Sequence, residues 1–435
     1  PFSSWIRLLS SKLSPTFVLG VVLVYGLSQG FSFSFFKVVS DYYWKDVQKL
    51  QPSAVQLFVG LYTIPWLMKP FWGLLTDVFP VKGYHRRPYF ILAGVVGLAS
   101  AASVAFGGDL PVALALICLI GVMAGIAIAD VTIDACIARN SIAIRSLATD
   151  MQSLSGACSS AGALIGYSTS GFFISLGLLG ISPAAMIALG FVFQEREEEI
   201  PIDDQQTTKK LREAANGMQR TIQLPQVWKP ALYLYLSIAL NISTHEGQFY
   251  WYTDPNAGPA FSQEFVGIIY ALGASASIVG VIIYHKYLRD QPFRSLVFFA
   301  QLLFAASGVL DLIFILRWNL KIGIPDYLFV VTETCTSKIV SRLRGMPMMV
   351  LCSQLCPVGI EGTFFALLMC IDSLGELTAK WGGGMVLNFL GVTRRDFKDL
   401  WLAIAIRNSL RFLTLGLAFL IPNSVPTDVL LIPGE

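Results

Sequence analysis

Two aspartates, Asp130 and Asp134, lie inside an otherwise apolar stretch of the sequence. A spacing of four residues places both carboxylates on one face of a helix, roughly 6 Å apart. Two carboxylates this close in a medium of low polarity do not both ionise readily, so the pair can take up a proton. It can equally bind a ligand that offers adjacent N–H donors. Structural pairing with Arg139 or Arg145, which follow along the chain, is the alternative.

A cation and an amide stand in neighbouring apolar segments. Lys69 precedes Pro70 in the second such segment, and Gln152 lies in the fifth. A buried Lys69 can bind a carboxylate of a ligand, or it can neutralise one of the two aspartates. Both uses stay open at this point. Gln152 can hydrogen-bond a ligand or join two helices through its amide group.

The second half of the chain carries ionisable residues of its own. Glu246 lies in the seventh apolar segment, and Glu333, Lys338 and Arg344 lie in the tenth. An ionisable side chain at the centre of a membrane-spanning helix costs about 2.5–3.5 kcal/mol and therefore marks function by default. We expect Glu246 and Glu333 to help form a binding site, and Lys338 or Arg344 to meet a ligand carboxylate. Pairing with acidic residues of the first half is the alternative for the tenth segment.

A polar loop with a regular pattern joins the second and third apolar segments. It reads Gly73-Leu-Leu-Thr-Asp77-Val-Phe-Pro-Val-Lys-Gly-Tyr-His-Arg86-Arg87-Pro. A glycine lets a neighbouring helix approach closely, and a carboxylate at a helix end can bind a cation or the amino terminus of a facing helix. We therefore expect Gly73, Asp77, Arg86 and Arg87 to form a gate. The alternative is a tight turn whose arginines anchor it on the cytoplasmic side.

Long apolar segments must position these residues. The chain has 435 residues, of which 54% are hydrophobic and 14% charged, whereas a soluble domain has about 25% charged residues. A helix that crosses a bilayer needs about 20 mostly apolar residues. Twelve segments come near this length: Pro15–Lys37, Ala54–Leu75, Pro88–Phe106, Pro111–Ala138, Ala148–Leu176, Leu178–Phe193, Pro230–Tyr252, Ser262–Tyr284, Arg294–Leu316, Pro325–Leu355, Ile360–Leu390 and Trp401–Ile421. The sequence therefore predicts an all-α integral membrane protein with twelve spans.

One long polar stretch divides the twelve segments into six plus six. We predict an N-terminal six-helix half at 1–193, a cytoplasmic linker at 194–229 and a C-terminal six-helix half at 230–435. The linker begins with the mostly acidic run Glu195–Glu199 and is interpreted as a solvated surface. Lysine and arginine are more numerous on the side that holds the amino terminus and the linker, so this side is predicted to be cytoplasmic.

Composition and motifs also narrow the class of protein. A net charge of +3 without a basic cluster argues against nucleic acid as a partner. The sequence contains no H-E-x-x-H, G-x-S-x-G or Walker A motif, and its three histidines have no partner at metal-ligand spacing. We therefore predict no enzyme, no metal site and no cofactor. The seven cysteines are scattered, mostly in apolar runs, and are interpreted as small buried side chains.

Several motifs are distributed along nearly the whole membrane portion. The first reads Trp66-Leu-Met-Lys69-Pro70-Phe-Trp-Gly73-x-x-x-Asp77-x-x-Pro80-x-x-Gly83-Tyr-x-Arg-Arg-Pro. The others are Asp130-Val-Thr-Ile-Asp134, Met151-Gln152-Ser-Leu, Gly323-Ile-Pro-Asp326-x-Leu-Phe, Met346-Pro347, Leu355-Cys-Pro357-x-Gly359-x-Glu361-Gly-Thr, Gly391-Val-Thr393 and Ile406-Arg407-Asn408. Each is weak alone, but together they resemble the folate–biopterin transporter family of the major facilitator superfamily.

The resemblance implies a twelve-span facilitator fold with a binding site near the bilayer midplane, lined by spans one, four, seven and ten. It also implies transport of folates, reduced pterins or related conjugates, although some members move other metabolites such as S-adenosylmethionine. We therefore predict a secondary carrier that works by alternating access. Asp130 and Asp134 would bind the pterin edge or a coupled proton. Lys69, Lys338 or Arg344 would meet a substrate carboxylate.

Protons are the expected coupling ion, because the sequence contains no visible sodium site or nucleotide motif. A facilitator for another small organic metabolite or ion is one alternative, and a membrane receptor that binds ligand without moving it is another. The expected partners are the small-molecule substrate, protons and the lipid bilayer, with the chain acting as a monomer. The expected location is the plasma membrane, with the plastid envelope or the vacuole as alternatives.

Overall fold

The structure is a computed structural model of the 435 residues, and it describes residues 2–108, 110–143, 148–172, 176–195, 222–288, 291–355 and 361–424. Within these ranges the regular elements are helices, beside one isolated antiparallel bridge between Val81 and Tyr84. The helices of the first part of the chain are α1 Phe2–Leu13, α2 Pro15–Val47, α3 Pro52–Leu61, α4 Ile64–Leu67, α5 Lys69–Val78, α6 Arg87–Phe106, α7 Val112–Ala143, α8 Ala148–Phe172 and α9 Ile181–Val192.

The remaining helices follow the central polar stretch. They are α10 Pro225–Ala239, α11 His245–Tyr252, α12 Gln263–Ile283, α13 Phe293–Ile315, α14 Trp318–Lys321, α15 Asp326–Gln354, α16 Glu361–Phe389 and α17 Leu400–Leu413. Six helices in the described part of the chain are long and apolar enough to cross a bilayer. The other predicted spans are shorter, more polar or interrupted.

Two predicted spans differ from the expectation of one helix each. The second, Ala54–Leu75, is divided into α3, α4 and α5. Pro65 and Pro70 lack the backbone N–H group that would continue a helix, and Pro70 stands in the first turn of α5. The division at this point leaves Lys69 as the first residue of α5.

The seventh predicted span, Pro230–Tyr252, is also broken. Helix α10 ends at Ala239 and α11 begins at His245. The intervening backbone pairs with another helix, because the N–H group of Ser243 donates to the carbonyl oxygen of Ala379 at 2.9 Å. A Cβ atom at Gly383 would lie 1.7 Å from the carbonyl oxygen of Ser243, so only glycine allows this close approach.

The chain divides into two compact units. The first unit comprises Pro1–Tyr42 and Met68–Thr208, and the second comprises Tyr43–Leu67 and Lys209–Glu435. Helices α3 and α4 therefore pack with the C-terminal helices, notably α16. The division predicted from sequence, at 1–193, 194–229 and 230–435, stays a prediction, because 196–221 lie outside the described residues.

Glycines determine how closely α2 and α8 approach each other in the first unit. Gly26 and Gly30 are spaced by four residues on α2, and Gly162 and Gly166 are spaced likewise on α8. A Cβ atom at Gly162 would lie 1.9 Å from the carbonyl oxygen of Gly26. This is the small-xxx-small arrangement that lets helix backbones pack closely in membranes. Helix α2 is π-helical from Val22 to Ser32. The contact therefore holds in place the stretch of α2 that carries Tyr25.

Candidate functional site

Four polar side chains of the first unit meet in one cluster, which we call the aspartate cluster: Tyr25, Lys69, Asp130 and Asp134. The Nζ atom of Lys69 lies 2.5 Å from Oδ2 of Asp130. The hydroxyl group of Tyr25 donates to Oδ1 of Asp134. Helix α7 holds the two carboxylates one turn apart. The sequence therefore placed Asp130 and Asp134 together correctly, and the structure adds a separate partner for each.

The two aspartates have different environments. Asp130 is 3% exposed and forms its ion pair inside the unit, whereas Asp134 is exposed. When Lys69 and both carboxylates are ionised, the cluster has a net charge of −1. Binding of one proton removes this charge. Among the side chains that the structure describes, Lys69 contacts Asp130, and Asp134 is bound by the neutral hydroxyl group of Tyr25. A substrate N–H group or a proton can therefore bind there.

Each member of the cluster owes its position to a local feature of the chain. Tyr25 lies in the π-helical stretch of α2, which at 11 residues is a long run of a rare type of helix. Lys69 begins α5 directly after the interruption at Met68. Of the two uses that the sequence left open for Lys69, the structure shows neutralisation of an aspartate.

Three side chains named in the sequence analysis lie outside the described part of the chain. The side chain of Gln152 on α8 lies outside the described residues, as do those of Arg139 and Arg145. Pairing of one of these arginines with the aspartates stays a prediction. Tyr25 was missed by the sequence reasoning, although a tyrosine hydroxyl inside an apolar span needs a hydrogen-bonding partner.

The loop between α5 and α6 is bound within its own unit. The Nη1 atom of Arg86 donates to Oγ1 of Thr76 at 2.7 Å. The guanidinium group of Arg87 donates to the carbonyl oxygens of Gly190 and Phe191, at 3.2 and 3.0 Å. These bonds anchor the loop to α5 and α9. A gating role for the two arginines stays a prediction.

Gly73 and Asp77 are the two other residues that were predicted to form the gate. A Cβ atom at Gly73 would meet only Val131, at an ordinary distance of 3.7 Å, so the space around Gly73 does not require glycine. The side chain of Asp77 lies outside the described residues. The loop is instead bound by the carboxylate of Glu195, a residue that the sequence predicted to lie in a solvated linker.

Glu195 binds the amino-terminal end of α6. Its carboxylate accepts hydrogen bonds from the backbone N–H groups of His85, Arg86 and Arg87 at 2.9–3.0 Å. These donors have no partner inside the helix, and the positive end of the helix dipole favours an acid there. Glu195 therefore joins the chain after α9 to the loop before α6.

The predicted residues of the second unit lie in two environments. Glu246, on the first turn of α11, is fully buried, and its N–H group donates to Oε1 of Gln56 at 3.1 Å. Arg344 donates to the carbonyl oxygen of Ser237 at 3.2 Å and stacks 4.3 Å from the ring centre of Phe304. Lys338 is exposed. Arg344 is thus engaged within its unit, while the stem of Lys338 lies beside Gly273 of α12.

Glu333 lies in an ionic cluster that the sequence did not predict. Oγ1 of Thr334 donates to Oε2 of Glu333 at 3.2 Å, and the charges of Asp311 on α13 and Arg407 act on the Glu333 carboxyl group. Asp311 forms an ion pair with Arg407 on α17. Asp311 itself was not singled out from the sequence.

Residues 29–430 match the BT1 family. The chain belongs to the BT1 family. It is 61% identical to the protein named probable folate-biopterin transporter 6 of Arabidopsis thaliana, over 99% of this chain and 88% of that protein. It is 30% identical to the folate-biopterin transporter of Synechocystis, over 95% of this chain and 81% of that protein. The resemblance inferred from the sequence motifs is therefore confirmed.

The fold of this BT1-family chain is similar to that of solved transporters. The nucleoside transporter NupG matches with a TM-score of 0.65 at 13% identity, covering 93% of this chain and 99% of NupG. A D-xylose–proton symporter matches with a TM-score of 0.59 at 14% identity, covering 94% of this chain and 97% of the symporter. At these identities the likeness concerns the fold alone, and it confirms the predicted all-α major facilitator fold.

Proposed function

We propose that this BT1-family chain is a secondary carrier that moves folates or reduced pterins across a membrane by alternating access. The observation that carries the proposal is the aspartate cluster, in which Lys69 neutralises Asp130 and Tyr25 binds Asp134. The names of the relatives, which match this chain over nearly its full length, support the same class of substrate.

The chemistry of the cluster suits a pterin. The pyrimidine edge of a pterin offers two neighbouring N–H donors, and a carboxylate can accept both in a bidentate arrangement. Asp134 is the exposed carboxylate of the pair. Tyr25 fixes one oxygen of Asp134 by hydrogen bonding, which orients the group for a planar ligand. We therefore assign Asp134 to the substrate, Tyr25 to its positioning, and Lys69 to keeping Asp130 ionised.

The structure supports the other predicted substrate contacts to different degrees. Lys338 is exposed and suits the carboxylate of a folate. Arg344 is held by the carbonyl of Ser237 and by Phe304, so it would have to leave these partners to bind substrate. Glu246 and Gln152 stay predictions.

Proton coupling is part of the proposal. The negative charge in excess in the aspartate cluster makes it a site where a proton and a substrate N–H donor compete for Asp134. Competition of this kind links the movement of the two species. We propose in addition that the carrier acts as a monomer.

The membrane in which the protein is located is a further part of the proposal. We propose the plasma membrane, with the plastid envelope and the vacuole as alternatives. Two relatives, at 24% and 25% identity, are named as chloroplastic, and they make the plastid envelope the first alternative to examine. A fluorescent fusion of the whole protein, imaged beside markers for the three membranes, distinguishes them.

Ligand-dependent thermal stabilisation tests the substrate class. The purified protein is heated with folic acid, 5-formyltetrahydrofolate, biopterin, S-adenosylmethionine and unrelated organic ions. A ligand that binds only the native state stabilises it by about 2.7 kcal/mol at 100 times its dissociation constant. We expect a shift with folates or pterins. A shift in thermal stability only with another ligand would contradict the proposed substrate but not the fold. Asp134→Asn is the control for the site, because the proposal assigns Asp134 to the substrate.

A further inference from the structure

Helix α16, the predicted eleventh span, carries three ionisable side chains near its middle, which we call the α16 ionisable face: Asp372, Glu376 and Lys380. A spacing of four residues places them on one side of the helix. The helix has 29 residues, from Glu361 to Phe389. At a rise of 1.5 Å per residue, all three lie within about 8 Å of its centre. A span centred in a bilayer with a hydrocarbon core of about 30 Å holds them at hydrocarbon depth.

The exposed surface of α16 has two faces of different chemistry. On the α16 ionisable face, the side chain of Glu376 is 53% exposed and that of Lys380 is 25% exposed. The other exposed face is apolar and contains Leu374, Trp381 and Met385. At 3.6 residues per turn, the centres of the two faces lie about 160° apart. The two faces therefore meet different surroundings.

Only water suits the α16 ionisable face. Ionisable side chains within a span are costly in lipid, and they face the protein interior or a water-filled cavity. More than half of the Glu376 side chain is left uncovered by the described part of the protein. The α16 ionisable face therefore borders an aqueous space, while the apolar face on the other side of the helix is the one that meets lipid.

Two hydrogen bonds fix the rotation of α16 about its own axis. The carbonyl oxygen of Ala379 accepts from the backbone N–H group of Ser243 at 2.9 Å. The indole Nε1 atom of Trp381 donates to the carbonyl oxygen of Leu57 at 3.2 Å. Both bonds lie next to Lys380 in the sequence, so the position of Lys380 on the exposed surface is determined by backbone contacts.

Lys380 has hydrogen-bonding capacity that the described part of the chain does not use. Its Nζ atom donates to Oγ1 of Thr63 at 2.9 Å, whereas Oε2 of Glu376 lies 3.8 Å away, beyond hydrogen-bonding distance. An ammonium group has three N–H donors. In the described part of the chain, Thr63 accepts one of them. The others suit a carboxylate, which forms strong charge-assisted hydrogen bonds with lysine.

We propose that the α16 ionisable face lines the path of the substrate and that Lys380 binds a carboxylate of the substrate, in place of its loose pairing with Glu376. A folate has two carboxylates, so this assignment adds to that of Lys338. Biopterin has none. Lys380 therefore strengthens the binding of folates and leaves the binding of pterins without a carboxylate unchanged. The inference deepens the proposed carrier function and rests on it.

Transport of two compounds by the same variants tests the role of Lys380. Purified wild-type and variant proteins are placed in liposomes, and KM is measured for labelled 5-formyltetrahydrofolate and for labelled biopterin. Lys380→Met removes the charge but keeps most of the length of the side chain. We expect KM for 5-formyltetrahydrofolate to rise about tenfold or more, because a charge-assisted hydrogen bond is lost. KM for biopterin should stay the same.

Three controls separate this role from a structural one. Thr63→Val removes the hydrogen bond between Lys380 and Thr63 but keeps the ammonium group, so both KM values should stay near those of the wild type. Lys380→Arg keeps the charge and should recover most of the loss. Glu264→Gln, at an exposed acid on the first turn of α12, should change neither value.

The outcomes against the assignment of Lys380 are specific. Equal rises of the two KM values in Lys380→Met, or no rise in either, would overturn it. A wild type that takes up biopterin but not 5-formyltetrahydrofolate would overturn it as well, because the substrate would then have no carboxylate for Lys380 to bind.

Thiol labelling tests the aqueous space without any substrate. Glu376→Cys and Leu374→Cys place one thiol on each face of α16, at positions that are 53% and 42% exposed. A charged, water-soluble thiol reagent reacts with thiols in water and does not enter hydrocarbon. Relative to the native cysteines of the wild type in liposomes, we expect additional labelling of Glu376→Cys and none of Leu374→Cys.

The labelling result separates this inference from the proposed function. If the wild type moves neither compound but Glu376→Cys alone is labelled, the aqueous face of α16 stands and the proposed substrate fails. If Glu376→Cys is not labelled, or both thiols react at the same rate, the aqueous face fails whatever the substrate.

Discussion

The ammonium group of Lys69 lies 2.5 Å from the carboxylate of Asp130, which is buried in the first unit. This ion pair gives the two aspartates of α7 different tasks. Asp130 and Lys69 balance each other, whereas Asp134 is exposed and bonded to a neutral hydroxyl group. The pair also ties α5 to α7, so it contributes to the packing of the unit as well as to its chemistry.

Breaking this ion pair should destabilise the protein. Lys69→Met leaves the Asp130 carboxylate buried without its cation, and an uncompensated buried charge costs about 3–5 kcal/mol. We expect a clear drop in the thermal unfolding midpoint in detergent. The double variant Lys69→Met/Asp130→Asn removes both charges and should recover most of the loss. If Lys69→Met were as stable as the wild type, the ion pair would contribute little to the free energy of unfolding.

Removing the hydroxyl group of Tyr25 should impair transport more than folding. Tyr25→Phe removes one hydrogen bond to a charged group, worth about 1.5–3 kcal/mol, and uptake should fall about tenfold or more. Protein levels in the membrane should stay near those of the wild type. Tyr287→Phe, at an exposed tyrosine of the second unit, is the matched control. Equal uptake by the two variants would remove Tyr25 from the site.

Two glycines of α8 should respond in opposite ways to the same substitution. Gly162→Ala places a Cβ atom 1.9 Å from the carbonyl oxygen of Gly26, and Gly156→Ala places one in open space. We expect Gly162→Ala to lower the thermal unfolding midpoint strongly. Gly156→Ala should raise stability by roughly 0.5–1 kcal/mol, because alanine loses less backbone entropy than glycine in a helix. Equal behaviour would contradict the close approach of α2 and α8.

Glu195 should protect the amides at the start of α6. Glu195→Ala removes the acceptor of the N–H groups of His85, Arg86 and Arg87, and loss of a helix cap costs about 0.5–2 kcal/mol. Hydrogen exchange at these three amides should accelerate, while amides in the middle of α7 should exchange as before. Glu195→Gln, which keeps an acceptor oxygen, should lie between. Unchanged exchange in Glu195→Ala would show that the cap is not formed in solution.

Features set by local spacing were predictable from the sequence. The helical repeat alone placed Asp130 and Asp134 on one face, and apolar length indicated the helices that cross the membrane. The signature motifs led to the correct family. These inferences need only residues that are close in the sequence.

Features that depend on contacts between distant residues were not predictable. Tyr25 reaches Asp134 because α2 is drawn against α8 through Gly26 and Gly162. Glu195 looked like one acid in a solvated run, and only the position of α6 reveals its partners. The break before α11 depends on Gly383, far along the chain, which makes room for Ser243.

Uptake of labelled 5-formyltetrahydrofolate and biopterin into liposomes tests the central claim most directly. Wild type, Asp134→Asn and the exposed-site control Glu264→Gln are compared at equal amounts of inserted protein. The account predicts that the wild type and Glu264→Gln take up at least one of the two compounds, and that Asp134→Asn falls to the level of empty liposomes. Uptake by Asp134→Asn equal to that of the wild type, or no uptake of either compound by the wild type, would contradict it.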